Sequence, residues 1–123
     1  MEGKQEWLII LPDHQGKLSE RLRVRPDHLK NIKPLVESKF WVMGGASLEE
    51  PIKEGETPKM NGSVMIAQAD TKDEVLEKIR NDIYYTSGVW DESKVSKASL
   101  VQVIELAELR RVGGLEGSSF QQD

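Results

Sequence analysis

The chain has 123 residues, of which 37% are hydrophobic and 31% are charged. This length and balance predict one globular domain whose core needs no disulfide or structural metal. The absence of cysteine excludes thiol catalysis, zinc–thiolate sites and iron–sulfur clusters. A net charge of −4 argues against binding to nucleic acid or to anionic membranes. The N-terminus is polar and has no apolar signal core, so a cytoplasmic protein is expected.

Four apolar segments bounded by turn residues have the length and composition of β-strands. The first is a continuous run, Trp-Leu-Ile-Ile-Leu, which is typical of a strand buried on both faces. Gly44-Gly45 is expected to end the second strand. The predicted strands are residues 7–11, 40–43, 62–69 and 99–106, and the alternative for the last segment is a helix that extends through Leu109.

Two helices are predicted between these strands. Pro26 suits the first turn of helix one, where its missing N–H costs nothing, and the apolar spacing extends this helix to about residue 38. Residues 17–25 before it are interpreted as a basic, polar stretch. Thr71 begins helix two, because Glu74 three positions on completes a capping box.

The order strand, helix, strand, strand, helix, strand predicts an α+β fold of the ferredoxin-like type. In that arrangement, both helices cover one face of a four-stranded antiparallel sheet. The other face is bare and apolar, so a homodimer that covers it with a second copy is expected. Residues 1–109 are predicted to form the single domain. Residues 110–123 are rich in glycine and serine, which predicts a flexible C-terminal tail.

His28 is the first candidate for chemistry. It shares one face of helix one with Ile32 and Leu35, so its imidazole points partly toward the apolar side. It is either a half-buried structural histidine or a general acid or base. Asp82 follows helix two, and is either a turn or capping aspartate or the group that orients His28.

Contact between these two residues faces a geometric difficulty. In a ferredoxin-like fold, the start of helix one and the end of helix two lie at opposite ends of the helix layer. We nevertheless expect His28 and Asp82 in one cleft, close enough for a direct or water-bridged hydrogen bond. This requires helix two to end early or shift, residues 81–88 to fold back across the cleft, or the aspartate to come from elsewhere. Ser87 and Gly88 make such a turn possible, since residues 84–88 are interpreted as a loop or turn.

Other side chains offer ligand contacts. Arg21, Arg23 and Arg25 alternate before Pro26, and form either a solvated basic strip or a site that holds an anion or clamps a carboxylate. His14 lies in a polar turn and is expected to be exposed. Four aromatic residues are interpreted as pocket, core or dimer contacts: Trp41, Tyr84, Tyr85 and Trp90. Glycines at the strand ends allow a ligand to approach the backbone: Gly44-Gly45 and Gly62, which precedes Ser63.

Several short stretches together resemble the YCII-related (YciI-like) family, over about residues 6–92. Residues 18–29 contain Arg-Pro-Asp-His-Leu, which resembles the family's Arg-Pro-x-His-Leu pattern at helix one. Gly62-Ser63 is similar to the Gly-Ser that opens the family's third strand. Residues 81–84 are similar to its Asp-Pro-Tyr/Phe motif, with Ile83 in place of proline.

The resemblance implies a dimeric α/β barrel and an active site built on His28 and Asp82. It suggests a cofactor-independent enzyme that uses proton transfer, isomerisation or elimination on a small aromatic or anionic molecule. Neither a cofactor nor a metal is expected. The proposed substrate contacts are Arg21, Arg25, Gly45, Ser63 and Tyr84. The alternative is an accessory dimer that binds a small ligand without chemistry.

Overall fold

Four strands form a single antiparallel sheet. The computed structural model describes residues 4–96 and 99–103 of the chain. The strands are β1 (Gln5–Pro12), β2 (Trp41–Leu48), β3 (Met60–Ala69) and β4 (Leu100–Val103). Their order in the sheet is β2-β3-β1-β4, and each neighbouring pair is antiparallel. This topology confirms the predicted ferredoxin-like α+β fold.

The helices cover one face of this sheet. They are α1 (Leu18–Glu37), α2 (Lys72–Arg80) and the single-turn α3 (Ile83–Thr86), followed by a 3-10 turn at Glu92–Lys94. The core lies between helices and sheet, because alternate residues of β1 are buried there: Trp7, Ile9 and Leu11.

Helix α1 begins eight residues before the predicted start at Pro26, so residues 18–25, which were predicted to precede the helix, belong to it. The early turns are helical because Arg21 and Val24 bury their side chains against the sheet. Pro26 lies on the exposed side of the helix. There, the carbonyl of Leu22, which loses its helical partner, can be hydrated.

Strand β2 does not end at Gly44-Gly45, as the sequence had predicted, but continues to Leu48. Gly44 pairs with Met65 of β3 and Gly45 pairs with Val64. A Cβ atom on Gly44 would lie 3.3 Å from Cγ of Met65, so the glycine permits this close packing. The glycines are therefore part of the sheet and not its end.

The predicted capping box of α2 is present, and it fixes where this helix starts. The Thr71 side chain accepts a hydrogen bond from the Glu74 backbone N–H, and the Glu74 carboxylate accepts one from the backbone N–H of Thr71. The segment after α2 was predicted as a loop, but it forms the short helix α3. The predicted end of the fourth strand at residue 106 and the predicted tail at 110–123 lie outside the described residues.

The second face of the sheet carries no helix in the described part of the chain. Apolar side chains pair across it, Leu8 with Ile66 and Val101, and Ile10 with Val64. Ile10 and Val101 are each 55% exposed. This apolar sheet face, defined by these five residues, is the surface predicted to bind a second copy. Among the described residues, no helix has the length and apolar character needed to cross a membrane.

Candidate active site

His28 and Asp82 form a direct hydrogen bond, as the sequence analysis anticipated. Nδ1 of His28 lies 2.8 Å from Oδ1 of Asp82, and the two side chains are 12% and 6% exposed. Because an ionised carboxylate can only accept, Nδ1 carries the proton and donates it. This leaves the lone pair on Nε2 as the free acceptor of the imidazole.

The longer α1 explains how the two residues meet. His28 lies near the middle of a helix that begins at Leu18, not in its first turn. Asp82 is the N-cap of α3, and its Oδ1 also accepts a hydrogen bond of 2.8 Å from the backbone N–H of Tyr84. Helix α3 packs against α1. The aspartate therefore caps a helix and orients the histidine, two roles that the sequence analysis had treated as alternatives.

The ring of Tyr84 also holds the His28 imidazole in place. Its ring stacks on the imidazole of His28, with centroids 3.9 Å apart and planes inclined by 17°. Trp90 meets the edge of the same imidazole at 6.4 Å. Burial raises the pKa of the Tyr84 phenol above its ordinary value, although the positive charges of Arg21 and Arg25 oppose this. Tyr84 is therefore a neutral phenol at physiological pH.

Arg21 lies at the centre of a buried polar network. Its Nε and Nη2 donate to the Asp13 carboxylate at 2.9 and 3.3 Å, and its Nη2 also donates to Oγ of Ser63 at 2.6 Å. The side chains of Arg21 and Asp13 are only 3% and 4% exposed. The arginine therefore clamps a carboxylate of its own chain, one of the roles considered for it from sequence. Trp90 Nε1 donates to the same Ser63 oxygen at 3.1 Å.

The other two arginines of the alternating set have different surroundings. Arg23 is exposed and pairs with Glu20 one turn away, as expected of a solvated basic residue. Arg25 is exposed and lines the cavity beside His28. Arg25 forms no ion pair in residues 4–96 or 99–103, so its positive charge is available to a ligand.

These groups open into one cavity of about 390 Å³ between α1 and the β2–β3 side of the sheet. Such a volume suits a small organic molecule. Its polar end is formed by Arg21, Arg25, His28, Ser63 and Tyr84. The remainder is apolar or backbone: Leu29, Ile32, Val36, Trp41, Val42, Met43, Gly44, Gly45, Ala46, Met60 and Met65. All seven residues selected from sequence as site residues therefore line the cavity or, for Asp82, bond to a residue that does.

Two members of the network had been given no specific role from sequence. Asp13 neutralises Arg21, and Trp90 is fully buried with its N–H on Ser63. The Trp90–Ser63 contact joins residues 27 positions apart, and no local pattern in the sequence signals it. Of the remaining aromatic candidates, Trp41 lines the cavity, whereas Tyr85 packs against the core.

His14 lies away from this cavity. Its Nε2 is 2.8 Å from the Glu92 carboxylate and 3.9 Å from that of Asp91, and its side chain is 37% exposed. The hydrogen bond from His14 lowers the pKa of Glu92. This agrees with the expectation that His14 is a surface residue, and it provides a control for the buried histidine.

Comparison with known proteins identifies relatives over most of the chain. The Fusaric acid biosynthesis protein 2 of Gibberella fujikuroi is 36% identical over 75% of this chain and 88% of that protein. The Derivative of benzaldehyde biosynthesis cluster protein C of Emericella nidulans is 42% identical over 68% of this chain and 86% of that protein.

A solved structure has a similar fold and a bound small molecule. It is the 5-chloro-2-hydroxyhydroquinone dehydrochlorinase TftG of Burkholderia phenoliruptrix AC1100, in complex with 2,5-dihydroxybenzoquinone. The TM-score is 0.62 and the sequence identity 25%, and the match covers 81% of this chain and 92% of that one. The YCII-related domain matches residues 6–99. This match includes nearly all of β1, the whole of β2, β3 and α1, and the residues of the cavity, and the chain belongs to the YCII-related domain family.

Proposed function

We propose that this protein catalyses proton transfer on a small, oxygen-bearing ring compound, leading to isomerisation or elimination. The observation that carries the proposal is the hydrogen bond from Nδ1 of His28 to Asp82, which leaves Nε2 free in a cavity that fits a small molecule. A histidine held in one tautomer by a carboxylate is suited to general-base catalysis.

The step needs no group beyond those of the chain. Nε2 of His28 removes a proton from the bound molecule, and the electron pair of the broken bond stays on that molecule. Asp82 stabilises the imidazolium that forms. In an isomerisation the proton returns to another atom. In an elimination the electron pair displaces a leaving group such as chloride, which departs as an anion.

The substrate class follows from the lining of the cavity and from the solved relative. One end of the cavity is lined by apolar side chains, and the other end carries Arg25, Ser63 and the His28 imidazole. This arrangement suits a flat apolar ring with polar substituents. TftG is named for its action on a chlorinated hydroxyhydroquinone and was solved with a hydroxyquinone. The fungal relatives are named for biosynthesis of fusaric acid and of benzaldehyde derivatives. These names favour small-molecule chemistry.

The test of this proposal is release of chloride from 5-chloro-2-hydroxyhydroquinone. We expect the protein to release chloride faster than buffer alone, and we expect replacement of His28 to remove the acceleration. His14→Gln is the matched control, because the other histidine lies outside the cavity. Saturable binding of 2,5-dihydroxybenzoquinone by calorimetry, with no turnover, would instead favour the non-catalytic accessory dimer.

We also propose that the protein is a homodimer through the apolar sheet face. Apolar residues on both faces of β1 need cover on both sides, and the helices cover only one. Ile10→Lys places a charge within this apolar face, where Ile10 is 55% exposed, and should convert the dimer to a monomer. Light scattering at micromolar concentration measures the mass of each species.

The control for this prediction is Ile52→Lys. Ile52 is 65% exposed and lies in the loop between β2 and β3, away from the sheet face, so its replacement should leave the dimer intact. A monomeric unaltered protein would rule out the dimer, and a dimer that survives Ile10→Lys would rule out this face.

A further inference from the structure

Ser63 receives two hydrogen bonds from groups that can only donate. Its Oγ lies 2.6 Å from Nη2 of Arg21 and 3.1 Å from Nε1 of Trp90. Neither a guanidinium nor an indole N–H has a lone pair with which to accept. The direction of both hydrogen bonds is therefore fixed by chemistry, and the serine oxygen is the acceptor in each.

This fixes where the serine proton can go. A hydroxyl has two acceptor lone pairs and one proton, and here both lone pairs are occupied. No hydrogen bond joins the proton to an acceptor within residues 4–96 and 99–103. Ser63 is 5% exposed and lines the cavity. A molecule held in the cavity can therefore offer this proton an acceptor atom.

The surroundings strengthen Ser63 as a donor. A hydrogen bond from the positive guanidinium polarises the O–H group, and hydrogen bonds in a chain reinforce one another in a buried site. This series of hydrogen bonds runs from Asp13 through Arg21 to Ser63, and the side chains of all three residues are almost fully buried. Trp90, with no exposed surface, holds the hydroxyl from the other side. The donor is oriented before any ligand arrives, which is the property that stabilises developing charge most effectively.

We propose that Ser63 donates a hydrogen bond to a substrate oxygen that gains negative charge when His28 removes a proton. This inference rests on the proposed function and adds a requirement to it: the substrate carries a carbonyl, enol or phenol oxygen at the Ser63 end of the cavity. The proton from the substrate stays on Nε2 of His28, and the electron pair moves toward the oxygen that Ser63 faces. Ser63 keeps its own proton throughout.

Ser63 and His28 lie at the same polar end of the cavity, because Ser63 bonds to Arg21 on the helix that also carries His28. Arg21 and His28 are seven positions apart on α1, so they lie on one side of the helix about two turns apart. Tyr84 contacts both, since the Arg21 guanidinium carbon is 4.4 Å from the centre of the ring on which His28 stacks. A ring-sized molecule beside Tyr84 therefore meets Nε2 from one direction and the Ser63 hydroxyl from another.

The test compares two probes by calorimetry. 2,5-Dihydroxybenzoquinone carries acceptor oxygens, whereas p-xylene has a ring of similar size with none. Ser63→Ala should weaken binding of the hydroxyquinone by about tenfold or more, the usual effect of losing a hydrogen bond to a charged acceptor. Binding of p-xylene should change by less than about twofold, because the cavity keeps its apolar wall. Ser63→Thr, which retains the hydroxyl, should restore most of the hydroxyquinone affinity.

Ser47→Ala is the control, because Ser47 lies outside the cavity with its hydroxyl on Asn61. Should Ser63→Ala fail to fold, Ser63→Cys keeps a side-chain atom between the two donors but is a much weaker donor, and the same selective loss is expected. Equal weakening of both probes would overturn the proposal, as would unchanged hydroxyquinone binding or an unaltered protein that does not bind the hydroxyquinone.

These outcomes are separable from failure of the proposed function. The comparison measures binding only, whereas the proposed function depends on turnover that His28 supports. Selective loss of hydroxyquinone affinity in Ser63→Ala, together with full turnover in His28→Gln, would retain the Ser63 donor and reject His28 as the base.

Discussion

His28→Gln is expected to lower the rate of the proton-transfer step by about 10²- to 10⁴-fold, the usual contribution of a general base. Glutamine can still donate to Asp82, so the hydrogen bond that links α1 to the N-cap of α3 has a replacement. The amide nitrogen and oxygen are far weaker bases than imidazole. The fold and the affinity for 2,5-dihydroxybenzoquinone should therefore change little, while kcat falls.

Asp82→Asn tests whether the hydrogen-bond partner of His28 also contributes to the rate of proton transfer. Asparagine keeps an oxygen that can accept from the Tyr84 N–H, so the cap of α3 survives, but the negative charge that stabilises the imidazolium is lost. We expect a fall in kcat, and we expect the double variant to be little worse than His28→Gln alone because the two residues act as a unit.

The controls for this pair use the second histidine of the chain. His14→Gln removes an exposed imidazole that bonds to Glu92 outside the cavity, and turnover should be unaffected. Losses of His28 and Asp82 that multiply in the double variant would contradict a shared role. So would a His28→Gln protein with normal kcat.

Arg21→Met is expected to produce the largest loss of stability of any single substitution considered. It leaves the Asp13 carboxylate, 4% exposed, without its ionic partner and also removes a donor from Ser63. Breaking a buried ion pair in this way costs about 3–5 kcal/mol, because an uncompensated charge remains in the interior. The free energy of unfolding in urea, measured for each protein, is the readout.

Arg23→Met is the matched control two positions away on the same helix. Its side chain is 68% exposed and pairs with Glu20, and such solvent-screened surface pairs contribute little to stability. Equal effects of the two substitutions would show that the Arg21–Asp13 pair does not hold α1 to the turn after β1. A double variant, Arg21→Met with Asp13→Leu, should recover part of the loss, since it removes the stranded charge.

The order of strands and helices was predictable from sequence because each element has a local signal. The apolar run at residues 7–11 and the capping box at Thr71 both lie within a few residues of the element they define. The errors at the start of α1 and at the end of β2 came from residues whose role depends on distant packing. Pro26 resembles a first-turn proline, but Arg21 and Val24 bury an earlier part of the helix against a sheet that the local sequence does not reveal.

In the candidate site, too, the sequence identified individual residues but not the contacts that depend on packing between distant elements. His28 and Asp82 were predicted as partners from their residue types and from a family resemblance, and the structure places them in contact. The earlier start of α1 removes the geometric objection, because His28 then lies in the middle of the helix beside α3. The Ser63 network joins α1, β3 and the two connecting segments that carry Asp13 and Trp90 through side-chain hydrogen bonds, so only coordinates reveal it.

Chemical rescue is the most direct measurement of whether the imidazole at position 28 accepts the proton. His28→Ala leaves space beside the Tyr84 ring, which imidazole added to the solution can occupy. We predict that the rate of His28→Ala in the chloride-release assay is low and rises with the concentration of neutral imidazole, while the unaltered protein does not respond. A His28→Ala protein that is fully active without imidazole, or equal stimulation of both proteins, would contradict the account.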